Sequence, residues 1–487
     1  MKNKKEKEKY ENSKAIMASY GMTQFFGQWI TGSFGIFVFY FYEVEIGLPV
    51  FYAALAFILY SIWNAINDPL FGYLMDRLHM PWQRKWGVKR LPWIIIGAIP
   101  WLFSYVLIFL VPKAWYGTPT IVQNNLWAIF AWYLITLFIY DTLFTLWNVN
   151  TTAMYPDKFR GLNERRVATG IGTIIGMIGI VCSMIIPPWF VKKGVPESYQ
   201  TMAWFSLIVG FALFFSMLPG INENKTLRER YRITREKLEA VEKEPFFKTT
   251  KRVIKDKTFM VKVIFFFGYQ AAAALIQASA AYVVTFILDM ETSSLTLMLG
   301  AMLLGAMISM PIWTIVSKKM NNNKKLEIIA GWTMFVTFIP LMFGLYLQYI
   351  GYIIALFAWG IGLGAQWFAD PPAMGDVLDN VAIKLGRRED AVYYGWNAFF
   401  IRLGIAFQAI TFAIVHSLTG FVEGSQTLAQ LYANSPTPEL ARFGIIIHSA
   451  IVPALVVLVT IFIFWKWYDL TPDKVTENKK KLKELGI

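Results

Sequence analysis

The chain is poor in the residues that build most catalytic and metal centres. It has one cysteine, Cys182, and three histidines, His79, His416 and His448, spread along 487 residues. One cysteine excludes an internal disulfide, and the scattered histidines show no metal-ligand spacing. There is no HExxH pair, no nucleophile elbow and no P-loop, so the sequence reads as neither an enzyme nor an ATP-driven pump, and it calls for no cofactor. Charged residues are also scarce, at 16% against roughly 25% in soluble proteins.

What fills the chain instead is apolar: 56% hydrophobic residues, with 17% aromatic. A helix that crosses a bilayer needs about 20 mostly apolar residues. Twelve such segments can be read, near 16–42, 49–75, 92–111, 126–150, 167–191, 200–219, 259–288, 294–316, 326–347, 350–374, 391–416 and 444–467. A soluble helical protein would carry a polar face on each helix. The run from Phe34 to Tyr42 and that from Leu102 to Val111 carry none. The fold class is therefore all-α integral membrane, with twelve transmembrane helices. The basic run before the first helix resembles a signal peptide, but the apolar stretch after it is too long, so it reads as a retained span.

The net charge of +14 is not a nucleic-acid footprint. Forty of the 46 Lys and Arg fall in the loops on the side of the N-terminus; Lys113, Lys192, Lys193 and Arg442 fall on the other. Lys262 and Arg402 lie within helices. This is the positive-inside pattern, which places both termini in the cytoplasm. Basic loops also face anionic headgroups, so membrane lipids are expected partners and nucleic acid is not.

The longest polar stretch, Ile221 to Lys257, divides the spans six and six. The expected organisation is a six-helix bundle over 1–219, a cytoplasmic linker with an amphipathic helix over 220–258, a second bundle over 259–470 and a cytoplasmic tail over 471–487. The halves repeat weakly. Asp68-Pro69 in the second helix parallels Met310-Pro311 in the eighth, and Asp141 in the fourth parallels Asp370 in the tenth. Paired six-helix halves around a midplane site describe major facilitator transporters. Gly172, Gly176 and Gly179, and the alanines 271–274 and 278–281, suit close helix packing.

Ionisable residues within spans are costly and mark sites or partners. Asp68, with Asn64 one turn before it, Asp141, Asp370 and Arg402 are the candidates, with Gln24, Gln28, Gln270, Gln277, Gln366, Trp367, Asn397 and Gln408 near them. An ion pair from Arg402 to Asp68 or Asp141 would serve structure alone, and glutamines commonly hold helices together. Asp370 precedes Pro371-Pro372, a pair expected to break the helix. Asp76-Arg77, at the end of the second helix, reads as a gate.

The run from Ile62 to Gly72, with Asp76-Arg77 and Arg90-Leu91-Pro92-Trp93 after it, resembles the glycoside–pentoside–hexuronide:cation symporter family, the melibiose permease-like branch of the major facilitator superfamily. Trp367, Asp376, Asp379, Arg388 and the stretch from Val392 to Arg402 extend the resemblance. It implies a symporter that couples a monovalent cation, a proton or sodium, to a sugar or glycoside by alternating access, as a monomer in the plasma membrane. The family's paired acids of the second helix correspond to Asn64 and Asp68, so one acid is missing. A lone acid leans toward proton coupling, with sodium at Asp68 the alternative. By resemblance the substrate residues are Gln28, Asp141, Trp367 and Arg402, with Asn397 beside them. The family's aromatic after the fourth-helix acid is Thr145 here, with Trp147 near, and its fifth-helix arginine has no counterpart. The lost sugar ligands keep an amphiphile such as a lysolipid as the alternative cargo. A receptor or scaffold is the non-transport reading.

Overall fold

A computed structural model describes residues 11–77, 80–159, 162–229, 246–320, 322–386 and 390–485. Among them there are only helices and connections. Twelve helices form the body: α1 (Lys14–Tyr40), α2 (Val50–Arg77), α3 (Leu91–Phe109), α4 (Leu126–Lys158), α5 (Leu162–Ile185), α6 (Pro196–Ile221), α7 (Lys257–Tyr282), α8 (Leu295–Met320), α9 (Asn323–Met342), α10 (Tyr349–Leu385), α11 (Asp390–Thr419) and α12 (Pro438–Trp467). Eleven of these are long and apolar enough to cross a membrane. α1 matches them in length, but Gln24, Gln28 and its glycines dilute its hydropathy.

The packing is two-fold. α1 lies against α5 and α6, α3 against α4 and α6, and α2 against α4. In the second half α7 lies against α11 and α12, α9 against α10 and α12, and α8 against α10. Each pair of the first half thus recurs six helices later. The halves meet along α1 with α7, α2 with α11, and α5 with α8.

Small residues allow the close approaches. A Cβ on Gly172 would face the Gly21 backbone of α1, and one on Gly179 would fall 2.8 Å from the Phe25 Cα. Gly360 on α10 comes so near α8 that a Cβ would sit 1.9 Å from the Met302 carbonyl oxygen. α10 does not break at Pro371-Pro372. It runs through both prolines for 37 residues, because backbone groups freed by proline inside a bundle find other partners. The basic segment Phe246–Lys255 is a separate short helix before α7. Residues 230–245 of the linker expected over 220–258 lie outside the described residues.

α1 and α7 end alike. Each closes in a π-helical turn, Phe41–Glu45 and Val283–Ile287. An offset of 242 residues maps Tyr40 onto Tyr282 and Glu43 onto Thr285. The repeat is therefore visible at the level of single turns, where the sequence showed only proline and acid positions.

Candidate functional site

Midway along the seam, α2 turns two amides onto one carboxylate. Asp141 of α4 is fully buried. Its Oδ1 accepts from Asn64 Nδ2 and its Oδ2 from Asn67 Nδ2 at 3.0 Å. Asn64 and Asn67 are three residues apart, so both lie on one helix face. The Oδ1 atoms of the two amides have no hydrogen-bond partner and are buried. A buried amide oxygen left unpaired costs about 1–3 kcal/mol. Such oxygens beside a carboxylate suit a small hard cation, which prefers oxygen ligands. Asp68 is on the same stretch of α2; its side chain lies outside the described ones, as do those of Asp76 and Arg77.

The second half reaches this knot through Arg402 of α11. Its Nη1 donates to the backbone carbonyl of Asn64 at 3.1 Å. The structure thus brings together Asn64, Asn67, Asp141 and Arg402. Gln28 on α1 and Trp367 on α10 are half-buried, and Asn397 on α11 is buried; they stand outside these contacts. Asn67 was missed in the sequence, although its spacing from Asn64 is the signal that finds it. Trp147 is no substitute for the family's site aromatic: it stacks on Trp101 at 5.3 Å inside the first half and packs on Phe26.

A second buried cluster lies wholly within the second half. Lys262 of α7 bonds Glu327 of α9 at 2.6 Å and Asp370 of α10 at 2.5 Å. Lys262 and Glu327 are inaccessible. This explains how a lysine is tolerated in a span: two carboxylates surround it. Asp370 is therefore tied to a neighbouring helix.

The histidines are not scattered in space. His416 and His448 approach to 5.0 Å between ring centroids, and His416 Nδ1 lies 2.6 Å from Glu43 Oε1 across the seam. The sequence reading, which found no histidine cluster, is corrected here. Glu43 and His416 are 373 positions apart and meet only because the halves close at this end.

On the side of the termini, the loop before α3 is fastened within its own half. The backbone N–H groups of Lys89, Arg90 and Leu91 donate to the Glu223 carboxylate at 2.6–3.1 Å. Lys158, three residues beyond the apolar stretch of α4 that ends at Tyr155, donates to the carbonyls of Gly220 and Asn222. Burial pulls its ammonium down to about 8, with Glu223 acting in the opposite direction.

The family profile described as MFS/sugar transport protein matches residues 19–472. The chain belongs to this family. It is a multi-pass membrane transporter, and the resemblance read from α2 holds. Among curated relatives, the sodium-dependent lysophosphatidylcholine symporter 1 of Gallus gallus is 24% identical, over 90% of this chain and 83% of its own length. The inner membrane symporter YicJ of Escherichia coli is 23% identical, over 96% and 93%. Of the solved structures, the xylose transporter XylE from E. coli in an inward open conformation superposes with a TM-score of 0.56 at 13% identity, covering 95% of this chain and 98% of that one. A POT family transporter gives 0.59 at 11%, covering 91% and 95%. At these identities the structures speak to the fold, a major facilitator bundle.

Proposed function

We propose that the chain is a sodium-coupled symporter of a small, hydroxyl-rich solute of glycoside type, working by alternating access as a monomer in the plasma membrane. The observation that carries this reading is the Asp141 knot. Two amide oxygens without partners beside a buried carboxylate offer a sodium ion several oxygens, where the lone acid of the sequence offered one. The knot joins the carboxylate to α11 through Arg402, so filling it bears on the seam between halves. A ligand shifts such an equilibrium only by its differential affinity for the two states.

In this reading the solute lies between the halves, held by Gln28, Trp367, Asn397 and Arg402, with Asp141 serving the cation and touching the solute only once the knot loosens. Neutral amides suit hydroxyl groups, which both donate and accept. Asp76 and Arg77 gate the side of the termini, which the basic loops place in the cytoplasm, and lipid headgroups contact those loops. The domain limits follow, with bundles over 1–219 and 259–470.

A lysolipid is the second reading. It is favoured by the sequestration of Asp141, which leaves fewer polar groups for a sugar, and by the names of the relatives that align along most of the chain. Proteoliposome uptake of a labelled galactoside and of labelled lysophosphatidylcholine, each under imposed sodium or proton gradients, separates these readings. Uptake of the galactoside driven by sodium, and lost in Asp141→Asn, is the expected result. Uptake of neither cargo under either gradient would end the symport reading.

A further inference from the structure

At the end of the seam away from the termini, one acid of the first half is held entirely by the second. Glu43 lies in the π turn that ends α1 and is inaccessible. Its Oε2 accepts from the hydroxyl of Tyr282 on α7, and its Oε1 meets His416 Nδ1 of α11. Its backbone carbonyl accepts from Gly424 N at 3.0 Å. His416 is equally inaccessible, and its Nε2 has no partner. These contacts exist only while this end is shut, because Glu43 and its partners sit on opposite halves.

The charge balance of the closed site is unfavourable without an added proton. With His416 neutral, Glu43 would be an ionised carboxylate with no cation in contact, and burying a charge unpaired is costly. The titratable neighbours do not supply one. Glu45 is in the same turn and buried. Tyr40 of α1, whose ring meets that of Tyr282, and Tyr133 of α4, which stacks on Tyr42, are phenols and supply no positive charge. His448 of α12 bonds Ser279 at 2.7 Å through Nδ1. Glu423, in the loop between α11 and α12, adds a carboxylate that caps the first turn of α2 at Val50 N. Its carboxyl is pushed above the ordinary range by burial and then by Glu43. A proton shared between Glu43 and His416 neutralises the pair, whichever atom carries it.

We infer that Glu43 and His416 form a proton-binding site on the closing seam, and that a proton bound there holds this end of the transporter shut. In the orientation given by the basic loops this is the extracellular end. When the halves part there, Glu43 and His416 are solvated separately, and the pair has no need of the extra proton. Over the pH range in which both groups are unprotonated when solvated apart, the closed state holds one proton more than the open state, and lowering the outside pH through that range favours closure. With one proton linked, the closed-to-open ratio changes by up to about tenfold per pH unit across the titration.

The test needs neither solute nor sodium, so it stands apart from the symport reading. Spin labels at Phe51 and Tyr346, both exposed and on opposite halves, are introduced in a Cys182→Ser background. Distances are then measured by pulsed resonance in nanodiscs from pH 8.5 to 5.5. The expected result is a growing short-distance population as pH falls. Glu43→Gln should stay closed at every pH, His416→Gln should lose the pH response, and Glu423→Gln should keep it. A wild-type distance that ignores pH, or lengthens in acid, overturns the inference, and this series needs no substitution at the site. A response that survives in both Glu43→Gln and His416→Gln, or that vanishes with Glu423→Gln alone, overturns it as well.

Discussion

Arg402 of α11 donates to the backbone carbonyl of Asn64 on α2, so a charged side chain of one half is anchored to the main chain of the other. A hydrogen bond from a charged group contributes about 1.5–3 kcal/mol. Arg402→Gln should weaken the seam between α2 and α11 and reduce gradient-driven uptake by roughly ten- to a hundredfold, a range that follows from that energy. Lysine at 402 should recover little, since an ammonium lacks the planar fork of guanidinium. Initial uptake rates in proteoliposomes decide both points.

Asn67 is the residue whose role the structure adds. Asn67→Leu leaves Asp141 Oδ2 without its amide donor and removes one of the free oxygens. The half-saturating sodium concentration for uptake should rise about tenfold, in keeping with about 1.5–3 kcal/mol for a lost hydrogen bond to a charged group. Asn64→Asp, which restores the family's second acid, should act in the opposite direction. Sodium dependence of transport, measured at fixed solute, provides the comparison.

Lys262→Met would leave Glu327 and Asp370 facing each other without the cation that now joins them. Breaking a buried ion pair from one side costs about 3–5 kcal/mol. Thermal unfolding in detergent should show a large loss for Lys262→Met. The pair Lys262→Met with Glu327→Gln should regain part of it, because one of the stranded charges is gone.

The α8–α10 contact admits no side chain at Gly360. A methyl there would press on the Met302 carbonyl, and overpacking of this kind typically costs about 1–3 kcal/mol. Gly360→Ala should lower the melting temperature in detergent, whereas Gly375→Ala, where a Cβ meets nothing within 4 Å, should leave it nearly unchanged.

Lys158 makes stability depend on pH in the alkaline range. Its folded-state value, drawn down to about 8, lies below the ordinary 10.4 of lysine. Between the two, the unfolded chain binds the proton and the folded chain does not, so stability rises with pH over that window. Lys158→Met should flatten the rise, as measured by denaturation at a series of pH values.

The sequence carried the number and order of the helices well because bilayer-crossing helices announce themselves by length and apolarity. Asp141 and Arg402 were legible for a related reason: a polar group in a span has few excuses. The contacts of these residues were not. Glu43 falls one residue beyond the span read at 16–42 and Glu327 one residue inside that read at 326–347, and neither stands among the candidate residues read from the sequence. Lys262 in a span was itself a signal that a carboxylate must lie beside it, yet nothing in the chain order says which one. The joining of Glu43 to His416 depends on how two halves dock, and no local pattern encodes docking.

The twinned ends of α1 and α7 bear on how the protein moves. Tyr282 reaches Glu43 while Tyr40 reaches Thr285, two equivalent bonds crossing in opposite directions beside the two-fold axis. A rotation that parts the halves lengthens both together, and neither can be released while the other stays made. Opening at this end should consequently be an abrupt event with a single kinetic phase, and trajectories of single molecules should show dwell in two distances with no plateau between them.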